Sequence, residues 1–135
     1  MEAAALPPMT LTPVGTGVRL NVTDIGTGDP LLLIMGTGGS IGFWGALLGP
    51  LSEQHRVVAF DNRGLGLSER DDSPISMASL AEDAAALLDA LEIERAHVMG
   101  WSLGSAVAQE LALAHPDRVG ALVLEELELR RYPRA

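Results

Sequence analysis

Short apolar runs recur along the chain and predict the strands of a sheet. Uninterrupted apolar runs of roughly four to eight residues suit strands that are covered on both faces. Residues 31–35 form such a run, and the mainly apolar residues 56–60, 96–99 and 119–124 predict three further buried strands. Residues 18–24 alternate between apolar and polar side chains instead, which predicts a strand with one face in water.

Helical spacing of leucine and alanine predicts the elements between these strands. Residues 76–91 form the clearest predicted helix, with Ser79 and Glu82 as a capping box. Residues 103–115 predict a second helix and residues 43–51 a weaker one. The alternation of strand and helix predicts the α/β fold class, a mostly parallel sheet with right-handed crossovers and helices on both faces.

Three segments follow the carboxyl ends of predicted strands, where sheets of this class bind ligands. They are the glycine-rich residues 36–40, the loop 61–68 and Ser102. We therefore expect all three to meet at one edge of the sheet.

The sequence Gly100-Trp101-Ser102-Leu103-Gly104 is a G-x-S-x-G motif between a predicted strand and a predicted helix. In that context the motif predicts a nucleophile elbow, a sharp turn that exposes a strained serine. Gly100 and Gly104 are expected because side chains there would collide with the facing strand and helix. The helix that follows adds partial positive charge where an oxyanion would form.

On these linked segments the chain resembles the α/β-hydrolase fold superfamily, in particular its bacterial esterases, enol-lactonases and methylesterase-like members. The similarity covers residues 18–124 and includes residues 31–39, 60–68 and 108–119 together with the elbow. The resemblance implies a serine hydrolase that cleaves a carboxylic ester or lactone through an acyl-enzyme. It implies a small-molecule substrate and neither a cofactor nor a metal.

The resemblance also implies the roles of the site residues. Ser102 would be the nucleophile, and the backbone N–H groups of Leu103 and Thr37 would form the oxyanion hole, with Gly38 as the alternative to Thr37. Met35 stands where many relatives place a histidine that braces the first loop.

Three further residues are predicted to support the site. The resemblance implies that Asp61 and Arg63 contact each other and hold the turn behind the active site. Trp101 either lines the acyl pocket or packs under the elbow.

The glycines of the loop 61–68 do not meet a phosphate-binding pattern.

A serine hydrolase also needs a base, and none of the histidines is placed to serve Ser102. His115 ends a predicted helix of about a dozen residues, which carries it roughly 18 Å from the elbow. His97 and His55 stand at the starts of strands, on the opposite edge of the sheet. We expect all three to be solvent-facing or capping residues.

The residues after the fourth apolar strand allow two interpretations, and only one of them supplies the catalytic acid. Glu125 and Glu126 follow the fourth apolar strand, where some members of the resembled family place their acid. Residues 125–135 also have the character of an exposed charged tail, which is the favoured interpretation.

The sequence therefore predicts one partial domain over residues 1–135, with a loose N-terminal arm over residues 1–12. We expect a chain truncated before the lid and the last strands, with an incomplete triad. Two alternatives remain: a catalytically inactive interaction module, and one half of a two-chain hydrolase completed by a C-terminal half. An uncovered strand edge would also favour a homodimer.

Composition and net charge limit the kinds of partner that the chain is expected to bind. With 47% apolar and 20% charged residues the 135-residue chain has a globular balance, and its net charge of −9 disfavours nucleic acid or an anionic membrane surface. Its apolar runs are far shorter than a membrane span. The absence of cysteine and of a basic N-terminus favours a cytoplasmic protein without a thiolate metal site. All nine basic residues are arginine, which indicates a GC-rich, bacterial coding sequence.

Overall fold

The computed structural model describes residues 6–125, and within them six strands form one sheet covered by three α-helices. The strands are β1 (Thr10–Pro13), β2 (Arg19–Ile25), β3 (Pro30–Ile34), β4 (Arg56–Phe60), β5 (Ala96–Trp101) and β6 (Val119–Glu125). The helices are α1 (Gly45–Ser52), α2 (Met77–Ala90) and α3 (Leu103–Ala114), with 3-10 turns at Ile41–Trp44 and Pro116–Arg118. The four apolar runs coincide with β3 to β6, so the predicted α/β fold class is confirmed.

The sheet has the order β1-β2-β4-β3-β5-β6. The four strands β4, β3, β5 and β6 are parallel, whereas β1 and β2 are antiparallel to their neighbours. Pairing places Phe60, Ile34, Gly100 and Leu124 in one row across the parallel strands. The loops that follow these residues therefore leave from the same edge of the sheet.

Helices cover both faces of the sheet, because alternate residues of each central strand point in opposite directions. Leu32 and Ile34 belong to the core shared with α2 and α3. Leu31 and Leu33 belong to the core shared with α1 and the turn before it. The predicted two-sided covering is confirmed.

The N-terminal arm is shorter and better held than predicted. Thr10 to Thr12 lie in β1 and pair with β2, so these residues are not loose. The face of β2 that was expected to be wet is buried, with Asn21 and Thr23 at most 3% exposed. The reason is that the arm covers this face: the Thr23 hydroxyl donates a hydrogen bond to the carbonyl of Pro8.

The start of α2 also differs from the prediction. Ser76 is the N-cap residue, and its hydroxyl accepts a hydrogen bond from the Ser79 amide at 3.0 Å. The Ser79 hydroxyl accepts one from the Ser76 amide at 2.8 Å, which closes the capping box. The capping box is therefore one turn earlier than predicted, and the Glu82 carboxylate bonds to His115 instead.

Strand β6 forms an open edge. In the described part of the chain no strand pairs with its outer side, and apart from Val119 and Gly120 its residues are exposed. Leu122, Val123 and Leu124 are 37–41% exposed. An apolar strand edge of this kind is a surface on which other strands can add.

Candidate active site

Ser102 stands at the sharp turn between β5 and α3. Its backbone has φ 55° and ψ −120°, a conformation that a residue with a side chain rarely adopts and that costs about 1–3 kcal/mol. Backbone hydrogen bonds hold it there. The Ser102 amide donates to the Glu125 carbonyl at 2.7 Å, and the Ser102 carbonyl accepts from the Ser105 amide at 2.9 Å and the Ser105 hydroxyl at 2.6 Å.

Two glycines make this turn sterically possible. A Cβ on Gly104 would overlap the carbonyl oxygen of Ile34, and a Cβ on Gly100 would overlap the carbonyl oxygen of Gly104. Both obstacles are backbone atoms of packed elements, so they cannot move aside. The predicted collision with the facing strand and helix is confirmed.

The glycine-rich loop after β3 contacts the same turn. A Cβ on Gly36 would lie 2.9 Å from the Trp101 oxygen, 3.1 Å from the Ser102 Cβ and 3.2 Å from the Leu103 nitrogen. The predicted meeting of the first loop with Ser102 is therefore confirmed. Because the first N–H groups of a helix lack intrahelical partners, α3 presents unpaired donors at this point.

A cavity of about 220 Å³ opens beside the turn. Its lining comes from the first two predicted segments, from the residue after Ser102 and from residues 70–80: Gly36, Thr37, Asn62, Arg63, Gly64, Leu65, Arg70, Ile75, Leu80 and Leu103. Ser102 adjoins the cavity through Leu103, its neighbour in the chain, and Gly36, which packs against it. Thr37 and Leu103, the two expected oxyanion donors, thus share one cavity wall.

Asp61 and Arg63 do not pair, contrary to the prediction. The Asp61 carboxylate accepts hydrogen bonds from the Asn21 amide group at 3.0 Å, the Ile41 backbone at 2.8 Å and the Leu67 backbone at 2.9 Å. These three donors come from separate segments and occupy its oxygens. Asp61 therefore ties the loop to β2 and to the turn before α1.

Arg63 points the other way, into the core beside α2. Its guanidinium donates two hydrogen bonds to Asp83, at 2.9 and 2.7 Å, and two to Asp71, both at 3.0 Å. The Arg63 side chain is 6% exposed and that of Asp83 fully buried. Sequence reasoning missed Asp83 and Asp71, although a carboxylate within the alanine-rich stripe of α2 is itself a signal of a buried charge.

These contacts shift two pKa values. Hydrogen bonding to Asp83 raises the pKa of Arg63 above its usual value. The backbone N–H of Ser73 lowers the pKa of Asp71, and the charge of Arg63 and its hydrogen bond lower it further. Both shifts keep the loop charges in their paired, ionised forms at neutral pH.

The first loop is braced by an amide. The Asn62 side chain donates a hydrogen bond to the Met35 carbonyl at 2.8 Å, and both residues are buried. Asn62 was not predicted to have a role. It supports the loop where the resembled family often places a histidine.

Trp101 packs under the elbow, which was one of the two interpretations left open. Its ring lies 5.1 Å from that of Phe43, centroid to centroid, and it joins the core on the α1 face. It is absent from the lining of the cavity beside Ser102.

The three histidines lie away from Ser102. The His115 ring bonds to Glu82 at 2.8 Å, at the far end of α3. His97 is in β5 opposite Leu31, and its Nδ1 accepts from the Ala121 amide at 2.9 Å. His55 immediately precedes β4. Among residues 6–125, no hydrogen bond joins a histidine to the Ser102 hydroxyl, as predicted.

Glu125 is part of β6 and not of a tail. It pairs with Trp101, and its carbonyl holds the Ser102 amide. The parallel ladder therefore runs one residue further than predicted. The remaining residues of the predicted tail, 126–135, lie outside the described residues.

The described residues contain neither a candidate membrane span nor a cluster of metal-binding side chains. No helix between residues 6 and 125 is both long and apolar enough to cross a membrane. No group of three or more His, Cys, Asp or Glu side chains in that part of the chain is arranged to hold a metal ion.

Known proteins are similar to this chain in both sequence and fold. A family model described as the alpha/beta hydrolase fold matches residues 29–131. The chain is 43% identical over 99 residues to the "Putative carbamate hydrolase RutD" of Azorhizobium caulinodans, covering 73% of this chain and 37% of that protein.

Two solved structures show the same similarity. A hydrolase from Pseudomonas aeruginosa PA01 is 37% identical with a TM-score of 0.82, over 89% of this chain and 46% of that one. The enol-lactonase from Burkholderia xenovorans LB400 is 28% identical with a TM-score of 0.78, over 85% and 45%. The chain thus spans less than half the length of each of these three proteins.

Proposed function

The chain belongs to the α/β-hydrolase fold family, and from this premise we propose that it carries the nucleophile half of a serine hydrolase that cleaves a carboxylic ester or lactone. Its relatives are hydrolases, and one of them is named an enol-lactonase. The observation that carries the proposal is the geometry of Ser102, a serine with positive φ held against the glycine-rich loop.

In the proposed reaction the Ser102 hydroxyl attacks the carbonyl carbon of the substrate and gives its proton to a base. The carbonyl oxygen becomes an oxyanion that accepts hydrogen bonds from the backbone N–H groups of Leu103 and Thr37, or Gly38 in place of Thr37. Collapse of this intermediate breaks the bond to the alcohol oxygen, which takes the proton. Water then hydrolyses the acyl-serine by the same steps.

We propose that the triad is incomplete in the described residues. The base is supplied from outside residues 6–125, because each described histidine is engaged elsewhere or stands at the other end of its strand or helix. Glu125 remains a candidate acid. Glu125 lies beside Ser102 at the end of β6, which supports this role. It is exposed there, and no partner among the described residues orients its carboxylate.

The test compares the chain alone with a completed chain. The purified 135-residue chain should hydrolyse p-nitrophenyl butyrate slowly, with equal rates for wild type and Ser102→Ala. Joined to the C-terminal part of the carbamate-hydrolase relative, it should gain activity. Ser102→Ala in that fusion should reduce kcat by roughly 10⁴-fold or more.

A matched control is Ser52→Ala, which removes an exposed hydroxyl in α1 and should leave the rate of the fusion unchanged. Activity of the fusion that survives Ser102→Ala would refute the assignment of the nucleophile. Fast turnover by the chain alone that disappears in Ser102→Ala would refute the incomplete triad.

Two other candidate functions, an inactive interaction module and one half of a two-chain hydrolase, are favoured by the open edge of β6. The exposed Leu122, Val123 and Leu124 would take up either a complementing C-terminal half or a second copy of the chain. Sedimentation of the chain with and without the C-terminal half distinguishes these occupants. Val123→Lys should weaken either association, and an unchanged monomer in all samples would refute both.

The proposal extends to the source and the location of the protein. The bacterial sources of the relatives support the bacterial origin expected from the arginine-only composition. The cytoplasmic location stays a prediction.

A further inference from the structure

The cavity beside Ser102 combines apolar walls with two arginines. Leu65, Ile75, Leu80 and Leu103 supply most of the apolar lining, and Arg63 and Arg70 also reach the wall. A cavity of this type binds the apolar part of a small molecule and uses its few polar groups to orient it. The two arginines therefore decide which polar group the cavity recognises.

The positive charge of Arg63 is already balanced by carboxylates of the protein. It is bonded to two carboxylates, Asp83 and Asp71, and one of them is fully buried. Four hydrogen bonds within the protein engage all three nitrogens of its guanidinium. Arg63 thus holds the wall in place and has little left for a ligand.

Arg70 is not neutralised, although acids flank it on both sides. The carboxylate of Glu69 is bonded to Arg19 at 2.8 Å, and that of Asp71 to Arg63 at 3.0 Å. Within residues 6–125, the Arg70 side chain makes neither an ion pair nor a hydrogen bond. Its charge is therefore exposed at the cavity while both neighbouring acids are engaged elsewhere.

The stem of Arg70 lies close to Gly64. A Cβ on Gly64 would lie 3.7 Å from the Arg70 Cγ and 3.7 Å from the Ile75 Cδ1. Both side chains thus lie near Gly64, whose φ of 78° suits glycine. Arg70 is exposed and lines the cavity, and its guanidinium carries five N–H donors that a ligand can use.

We infer that Arg70 forms a carboxylate subsite, so that the ester or lactone cleaved at Ser102 carries a second, ionised carboxyl group. A guanidinium binds a carboxylate through two parallel hydrogen bonds. A local cation is needed because the chain carries a net charge of −9 and would otherwise repel an anion. This inference rests on the proposed function for the position of the scissile bond, and on Arg70 itself for the charge of the substrate.

The test is a binding experiment that does not require turnover. Monomethyl succinate, glutarate and adipate are titrated into the ¹⁵N-labelled 135-residue chain, and the corresponding dimethyl esters serve as uncharged counterparts. At least one monoester should bind about three- to tenfold more tightly than its diester. The amide signals that shift should be those of the cavity lining, with Leu65 and Leu103 among them.

Matched variants assign the effect to Arg70. Arg70→Gln should remove the preference for the monoester, and Arg70→Lys should retain part of it. Arg95→Gln makes the same charge change at an exposed position of a different cavity, beside the start of β5, and should leave the preference intact. Equal affinity for monoester and diester, no binding of either, or an undiminished preference in Arg70→Gln would each overturn the inference.

The same experiment separates the two proposals. Ser102→Ala should keep the monoester preference, because the carboxylate binds at Arg70. If Ser102 proves not to be the nucleophile, that preference still reports on Arg70. If the fusion is active but cleaves monoester and diester with equal kcat/KM, the carboxylate subsite is wrong and the hydrolase assignment stands.

Discussion

The two sides of the candidate site are held by different physical means. The elbow around Ser102 is fixed by backbone atoms in contact, with glycines at the positions where a Cβ would overlap a carbonyl. The opposite wall, residues 61–75, is fixed by charged side chains, with Asp61 and Arg63 as its anchors. We refer to this wall as the anchored loop.

The difference predicts different tolerances. Backbone contacts are rigid, so the elbow should tolerate almost no added volume and should be insensitive to pH. Ion pairs depend on charge and solvent, so the anchored loop should tolerate changes of shape but not the loss of a partner. A serine that must stay strained is better held by the first means.

The largest expected effect is at the elbow. Gly104→Ala would place a Cβ 2.8 Å from the Ile34 carbonyl carbon and 2.9 Å from the Met35 oxygen. We expect the free energy of unfolding to fall by about 4 kcal/mol or more, a large part of a typical domain's stability. Urea unfolding followed by circular dichroism measures it.

The matched control is Gly45→Ala, because a Cβ at the start of α1 meets no atom within 4 Å. It should change the free energy of unfolding by less than about 1 kcal/mol. A Gly104→Ala protein as stable as Gly45→Ala would show that the elbow can yield and would remove the contrast with the anchored loop.

The next effect is in the anchored loop. Arg63→Ala leaves the fully buried Asp83 without a countercharge and with only the Thr16 hydroxyl as a hydrogen-bond donor, so it should lower the free energy of unfolding by about 3 kcal/mol. Arg63→Lys keeps the charge but loses the paired hydrogen bonds, so its cost should be intermediate.

Arg56→Ala provides the comparison for Arg63→Ala. It breaks an ion pair with Asp24 in which both side chains are 31% exposed, and it should cost less than about 1 kcal/mol. Equal losses for Arg63→Ala and Arg56→Ala would mean that burial does not set the strength of the anchor.

The smallest expected effect is a dependence of the free energy of unfolding on pH. Since the backbone N–H of Ser73, and after it the charge of Arg63, lower the pKa of Asp71 in the folded chain, these contacts stabilise the fold above the usual carboxyl pKa of about 3.9 and lose that contribution as the pH falls through the lowered pKa. Asp71→Asn should therefore lose less stability than wild type between pH 6 and pH 3. Unfolding in urea at the two pH values measures this difference.

Asp72→Asn is the control, since Asp72 is the adjacent exposed acid and makes no ion pair within residues 6–125. Its acid sensitivity should match that of wild type. If Asp71→Asn also behaves like wild type, the contacts of the Asp71 carboxylate with Ser73 and Arg63 do not anchor the loop in solution.

Short-range sequence patterns were sufficient to predict the strands and the elbow. The apolar run at residues 31–35 predicted β3 within one residue, because a short uninterrupted run suits a central strand. The G-x-S-x-G motif predicted the strain at Ser102, because glycine spacing reports where backbones approach. The capping box of α2 was misplaced by one turn, since Ser76 and Ser79 are both plausible caps in sequence.

The sequence by itself determined the order of strands and helices, the α/β class and the place of the strained serine, because each depends on residues within a few positions of one another. The tertiary structure decided which charges pair and which faces are covered. Arg63 lies two residues from Asp61 in sequence yet bonds to Asp83, twenty residues away, since α2 brings that carboxylate into the same dry space. Glu125 likewise joins the elbow through the last pair of the β5–β6 ladder, and a composition-based view had placed it in a tail. Pairing of this kind depends on distances that the folded chain creates, and no local pattern encodes them.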